Sequence, residues 1–344
     1  MSGRSSLLIT MLLPVICGIT PLTFASSDPF DSTGVQAILE TQTLLFNDRF
    51  AEVDSIFSAQ IKVRPEDPSA YLFRAGALFA EMSDREEDLR ASLFRQLLDT
   101  VVALTDRVLD TCDNQTAAWM YLWRGHARAY RSLYESKFGS SVTALKTGMS
   151  SIGEYENGLR RDSTLTDLYM GIGSYHYWKS AKAGVLRWFL LFKDEKAKGI
   201  AELRTAAASS LLHRELARSA LIWIWLDRKE YDSAVLLAGE FAARYPKGRT
   251  FLWPIAQARF RQGDYRDAAA TFLELRERLD DSPGNYYNLI ECDWHLAQCY
   301  TWLREDDNLK ATVEHFRSYE DRIPIETRRR QSAKINYLQR IVAR

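Results

Sequence analysis

A few short stretches hold residue types that can do chemistry. Cys292-x-x-His295-x-x-x-Cys299 offers two thiols and an imidazole on one face of a helical segment. Two thiolates on one tetrahedral zinc must approach to roughly 4 Å, given Zn–S bonds near 2.3 Å. Residues two turns apart on a straight helix do not meet that condition, so packed core residues are expected here rather than a metal site. His315 could join them only from the following helix. Glu314 and His315 are adjacent and point to different sides of a helix, so they are not an acid–base couple. Gly171-x-Gly173 lies inside a helical pattern instead of after a strand, which removes the nucleotide-binding reading. The chain has no HExxH, phosphate loop or nucleophile elbow. The expectation is a protein that is not an enzyme and that carries no cofactor and no metal.

The elements around these residues follow from the rest of the chain. At 344 residues it can bury a large core. Its 45 basic and 45 acidic residues cancel, which argues against nucleic acid as a partner. The acidic and basic clusters Arg85-Glu86-Glu87-Asp88 and Glu305-Asp306-Asp307 read as solvated turns and helix starts. Residues 1–25 read as a secretory signal peptide: Arg4, an apolar run from Leu7 to Leu22, then Thr23-Phe24-Ala25 before the cut. Pro14, Gly18 and Pro21 interrupt the run and argue against a retained anchor, and Ile16 before Cys17 argues against lipidation. The expectation is an exported protein, periplasmic or associated with the outer membrane if bacterial. Three cysteines then remain, and the odd number does not suggest a disulfide framework. Cys292 and Cys299, seven residues apart on a helix, would have Cα atoms roughly 10 Å apart, beyond the reach of a disulfide at about 7 Å.

Internal repeats set the fold class. In Arg228–Pro246 and Arg261–Leu279, Tyr231 and Tyr265 are 34 residues apart, as are Ala234 and Ala268. Phe50, Val53, Phe57 and Pro65 fall at the matching places of an earlier copy. Tyr71/Ala75, Tyr121/Gly125 and Tyr169/Gly173 set an aromatic residue and a small residue four apart, on one helix face. Arg85 to Asp110 reads as one long helix with Leu89, Leu93, Leu97, Val101, Leu104 and Val108 in a stripe. No strand pattern is present.

These marks resemble the tetratricopeptide-repeat (TPR) family: a tight turn, an aromatic residue packing back on the first helix, a small residue where two helices approach, and a proline where the second must stop. The middle segment, with Gly171–Trp178 followed by an apolar insert, is also similar to the tetratricopeptide repeat family 39 and its bacterial relatives, although Lys193-Asp194-Glu195-Lys196 lacks that family's turn glycine. The resemblance implies an all-α, right-handed solenoid of antiparallel helix pairs over residues 29–344, with roughly 12 to 16 helices and an insert at 179–196. It also implies a concave face lined by first helices, where family members bind peptides or partner helices.

Mapping the registers by that resemblance puts Trp119, His126, Tyr130, Tyr177, Trp178, Trp223, Trp253, Gln257, Arg261, Trp294, Gln298 and Trp302 on the groove side. A row of indoles there needs something to cover it. Either a protein or peptide partner does so, or slipped registers make the indoles core, or the chain covers its own groove. The insert carries Arg187, Trp188, Phe189, Leu190, Leu191, Phe192 and Lys193. It is too short to span a bilayer, which takes about 20 residues. Its flanking cations leave three readings open: packing on the protein itself, docking of a partner, or peripheral membrane contact. The sequence thus points first to a non-catalytic scaffold for a protein or peptide, and second to a membrane-peripheral or apolar-ligand carrier using the 184–193 insert.

Overall fold

The computed structural model describes residues 32–182, 193–280 and 284–342, and among these it contains sixteen α-helices and no strand. The expected signal peptide (residues 1–25) and Arg187 to Phe192 of the insert lie outside the described residues. The helices form antiparallel pairs, each packed chiefly on its sequence neighbours. The pairs are α1 (Ser32–Phe46) with α2 (Phe50–Val63), α3 (Pro68–Arg85) with α4 (Ala91–Leu109), and α5 (Asn114–Phe138) with α6 (Ser141–Arg161). Then come α7 (Leu168–Lys182) with α8 (Lys196–Ser209), α9 (Arg214–Asp227) with α10 (Tyr231–Arg244), α11 (Leu252–Gln262) with α12 (Tyr265–Asp280), and α13 (Tyr286–Leu303) with α14 (Asp306–Tyr319). Two short helices, α15 (Ile325–Arg330) and α16 (Ser332–Val342), close the array, and α16 packs on α13. The result is an all-α, TPR-like solenoid.

The repeat residues do what their spacing predicts. Phe50, Tyr231 and Tyr265 each open a second helix, and Ala234 and Ala268 are fully buried where that helix meets the first. Asp67 and Asp113 accept from the backbone N–H of Ser69 and Thr116, satisfying donors that a helix start leaves free. At the crossing of α7 and α8, a Cβ on Gly173 would stand 2.7 Å from the Gly199 carbonyl oxygen, so only paired glycines allow that approach. The expected long helix from Arg85 to Asp110 starts later, as α4 from Ala91 to Leu109, after a turn that follows the end of α3 at Arg85. Glu86 and Arg90 both take left-handed backbone, Leu89 lies in the turn, and the apolar stripe starts again inside α4 at Phe94, Leu97, Val101 and Leu104.

The ends of the array meet. The turn between α1 and α2 packs against the turn between α10 and α11, about 200 residues away. Phe46 stands 5.0 to 5.9 Å from the rings of Tyr245, Phe251 and Phe241. The Lys247 and Arg249 backbone N–H groups donate to Asn47 and Asp48, at 3.2 and 2.8 Å. Arg249 also reaches Asp84 at the end of α3 (2.7 Å), while Asn285 at the start of α13 donates to the Asp84 carbonyl (2.9 Å). Arg330 of α15 pairs with Glu86 at 2.9 Å. The first two pairs are thereby held against the fifth, sixth and seventh.

Candidate binding surface

The face proposed from sequence divides into two parts. On α5 and α7 it is closed. Trp119 is only 4% exposed and lies 5.3 Å from the buried Trp123. Tyr177 is fully buried and donates its hydroxyl to Asp227 at 2.6 Å. His126 is buried in a polar relay. These three are core residues, which corrects the groove assignment for them. For Trp119 and His126 the reason is that the 25-residue α5 packs against the 21-residue α6, with α3, α4 and α7 around it, and Tyr177 of α7 is enclosed by Leu203 and Ala206 of α8 and Ala217 and Ile224 of α9. Tyr130 and Trp178 are half-buried, against Phe79 at 5.9 Å and Tyr177 at 5.1 Å.

The relay was not foreseen. His213 donates from Nδ1 to Asp167 (2.8 Å), its Nε2 meets His126 Nε2 (3.0 Å), and His126 Nδ1 meets the Tyr155 hydroxyl (2.8 Å). One assignment satisfies every group: Tyr155 O–H donates to His126 Nδ1, and His126 Nε2–H donates to His213 Nε2. Burial, reinforced by His213, holds the His126 pKa well below the ordinary value, so His126 is neutral. Burial pushes Asp167 up, but the hydrogen bonds from His213 and from the Leu211 and Leu212 N–H groups outweigh it, so the carboxyl stays below its usual range. All four side chains belong to residues at most 8% exposed, so the relay ties α5, α6, α7 and α9 together out of reach of a ligand. Nothing in the spacing of 126, 155, 167 and 213 signals it.

From α9 onward the face is more open. Trp253, Gln257 and Arg261 on α11, and Trp294, Gln298 and Trp302 on α13, each step by four residues along one helix side. Trp223 of α9 is half-buried beside Leu226, Ala234 and Ala258. Trp253 and Trp294 are half-buried, against Phe272 at 6.3 Å and beneath the Lys334 ammonium at 5.1 Å. Gln257 and Gln298 are partly exposed, and Arg261 is exposed. Trp302 is 67% exposed and lies flat on Tyr265, with ring centroids 5.5 Å apart and planes 3° from parallel. One ring face is thus supported and the indole held in place.

The cysteine–histidine stretch is packing. Cys292 and Cys299 are buried free thiols; burial raises the Cys292 pKa well above its usual value and that of Cys299 to about 12, which disfavours the metal-binding thiolate. His295 stacks on Phe272 (4.3 Å) and donates to the Glu291 carbonyl (2.8 Å). His315 instead meets Asp293, a fully buried carboxylate that also takes Arg276 (3.1 Å) and the Tyr319 hydroxyl (2.7 Å). Among the described residues, no group of three or more histidine, cysteine or acidic side chains is placed to hold a metal ion.

At the insert, Lys193 is exposed, and described residues on its two sides are joined. Lys179 pairs with Glu195, and the Glu195 N–H donates to Ser180 Oγ at 2.9 Å. No described helix is long and apolar enough to cross a membrane.

No protein-family model matches the chain, and no curated protein matches it. Among solved structures it is similar to the C-terminal part of a TPR repeat-containing protein from Cytophaga hutchinsonii, at 18% sequence identity and a TM-score of 0.42, over 84% of this chain and 97% of that one.

Proposed function

We propose that the protein is an exported, non-catalytic scaffold that holds a peptide or partner-protein segment along the first-helix faces of α9, α11 and α13. A solenoid offers an extended surface for such contacts, and its strongest anchors are aromatic residues and arginine. The observation that carries the reading is Trp302, two-thirds exposed and stacked on Tyr265, at the end of the Trp294–Gln298–Trp302 row. The experiment is site-specific photo-crosslinking in an extract of the source cell's envelope. A photoreactive residue at Gln257 or Gln298 should trap the same discrete protein, and Trp302→Ala with Trp253→Ala should abolish it. No product at either position, or the same product from the exposed Leu236 of α10, would overturn the reading.

A second reading has its own observation. Leu133 of α5 and Val142, Leu145 and Met149 of α6 are exposed, near the turn of that pair. Exposed apolar side chains there favour peripheral membrane contact or an apolar ligand. Flotation with anionic liposomes that is unchanged by Leu145→Glu, Met149→Glu and Trp188→Glu together would remove it.

A further inference from the structure

The contacts that close the array are unequal in charge. Asp48 sits in the α1–α2 turn with left-handed backbone, φ 59°. Its Oδ2 accepts from the Arg249 N–H (2.8 Å) and lies 3.4 Å from Arg249 Nε. Its Oδ1 has no hydrogen-bond partner, although the side chain is only 5% exposed. The Arg249 guanidinium is taken up by Asp84, at 3.3 Å from Nε and 2.7 Å from Nη2. The next cation, Arg278 of α12, gives its donors to the Gly248 carbonyl and to Glu274. From α13 come only the amides Asn285 and Asn288, both aimed at Asp84. Arg49, next in the chain, pairs with Glu52, and Arg330 with Glu86. Two carboxylates therefore share one guanidinium in a buried face, and one carboxylate oxygen is bare.

We propose that Asp48 is a proton-operated latch: a proton taken up at Oδ1 draws the first two helix pairs against the fifth to seventh, and its loss loosens them. A buried charge without a full partner is costly, and neutralising it removes that cost. A proton does so in the space available, whereas a metal ion would stand beside the Arg249 guanidinium. Burial, opposed by Arg249 and reinforced by Asp84, raises the Asp48 pKa to about 6. In the open array Asp48 returns to an ordinary value near 3.9. Closure is therefore favoured as pH falls below about 6 and weakened as pH rises through it. One proton over that interval strengthens closure about tenfold between about pH 7.5 and about pH 5.

Hydrogen exchange on the whole chain tests this at the Lys247 and Arg249 amides, which donate to Asn47 and Asp48 and so report closure. After correction for intrinsic rates, their protection should rise about tenfold from pH 7.5 to pH 5, and Asp48→Asn should be well protected at both. Asp84→Asn leaves Arg249 to Asp48 alone and should move the midpoint down by at least about one pH unit. A flat wild-type profile, or Asp48→Asn with the wild-type pH dependence, would overturn the proposal. Should Asp48→Asn fail to fold by circular dichroism, Asp84→Asn decides: an unchanged midpoint overturns it.

Discussion

The long pair α5/α6 and the shorter pairs from α9 onward are built on one plan, yet they treat tryptophan in opposite ways. On α5 the indoles of Trp119 and Trp123 face neighbouring helices on several sides and become core. On α11 and α13, helices of 11 and 18 residues, Trp253 and Trp294 stay half-covered and Trp302 stands out. The difference lies in how many helices surround each side chain. Length alone does not decide it: Tyr177, on the 15-residue α7, is also fully buried, among residues of α8 and α9.

Four measurements break or sharpen that contrast. The largest effect belongs to Trp123→Ala, which should cost about 3–5 kcal/mol of unfolding free energy in urea, as for other large-to-small core changes. A loss under about 1 kcal/mol would mean that the α5 face is not core. Next is Gly171→Ala. Its Cβ would lie 2.3 Å from the Tyr155 ring, which is packed between Gly125 and Gly171. Overpacking there should cost about 1–3 kcal/mol, whereas Gly239→Ala on α10, where a Cβ meets nothing within 4 Å, should be neutral or stabilising.

The third is a pH response of opposite sign in the two regions, at most about 1.4 kcal/mol per pH unit for one proton. His126 is held neutral by burial, so its contribution is present above the ordinary histidine value of about 6.5 and is lost as pH falls below it. Burial also disfavours charge on His315, but the hydrogen bond and charge of Asp293 override it and raise its pKa. Its contribution is complete below about 6.5 and is lost as pH rises through the raised value. Exchange protection between pH 5.5 and 8 should thus rise with pH in α5–α7 and fall in α13–α14, and Asp293→Asn should flatten only the second. Slopes of one sign in both would break the contrast. The smallest effect is Trp302→Ala, expected to change stability by no more than about 0.5 kcal/mol while abolishing the crosslink from Gln298.

Much of the fold is legible in the residues. Tyr231 and Tyr265, Ala234 and Ala268, and the aromatic–small pairs on α3, α5 and α7 announce antiparallel helices, because each marks a local contact at fixed spacing. What the pattern misses is non-local. Periodicity gives the phase of Trp119, His126 and Tyr177 on their helices but not what covers that face. Asp167 and His213, or Asp48 and Arg249, have no sequence relation; only the return of the chain brings them together. The early start read for the helix at Arg85–Asp110 has the same source: Leu89 extends the stripe back into a turn that left-handed Glu86 and Arg90 make possible. On α11 and α13 the same register leaves Gln257 and Gln298 partly exposed and Arg261 and Trp302 exposed.

The meeting of the first and later pairs also governs how the protein comes apart. An open repeat array can fray from its ends, since each unit answers only to its neighbours. Here Phe46 is buried in the aromatic group around Phe241 and Phe251, and Asp84 is tied to Arg249 and Asn285. The first helices therefore cannot peel away without exposing the fifth and sixth pairs. A chain cut after α9 would leave Phe46 without the rings of Phe241, Tyr245 and Phe251.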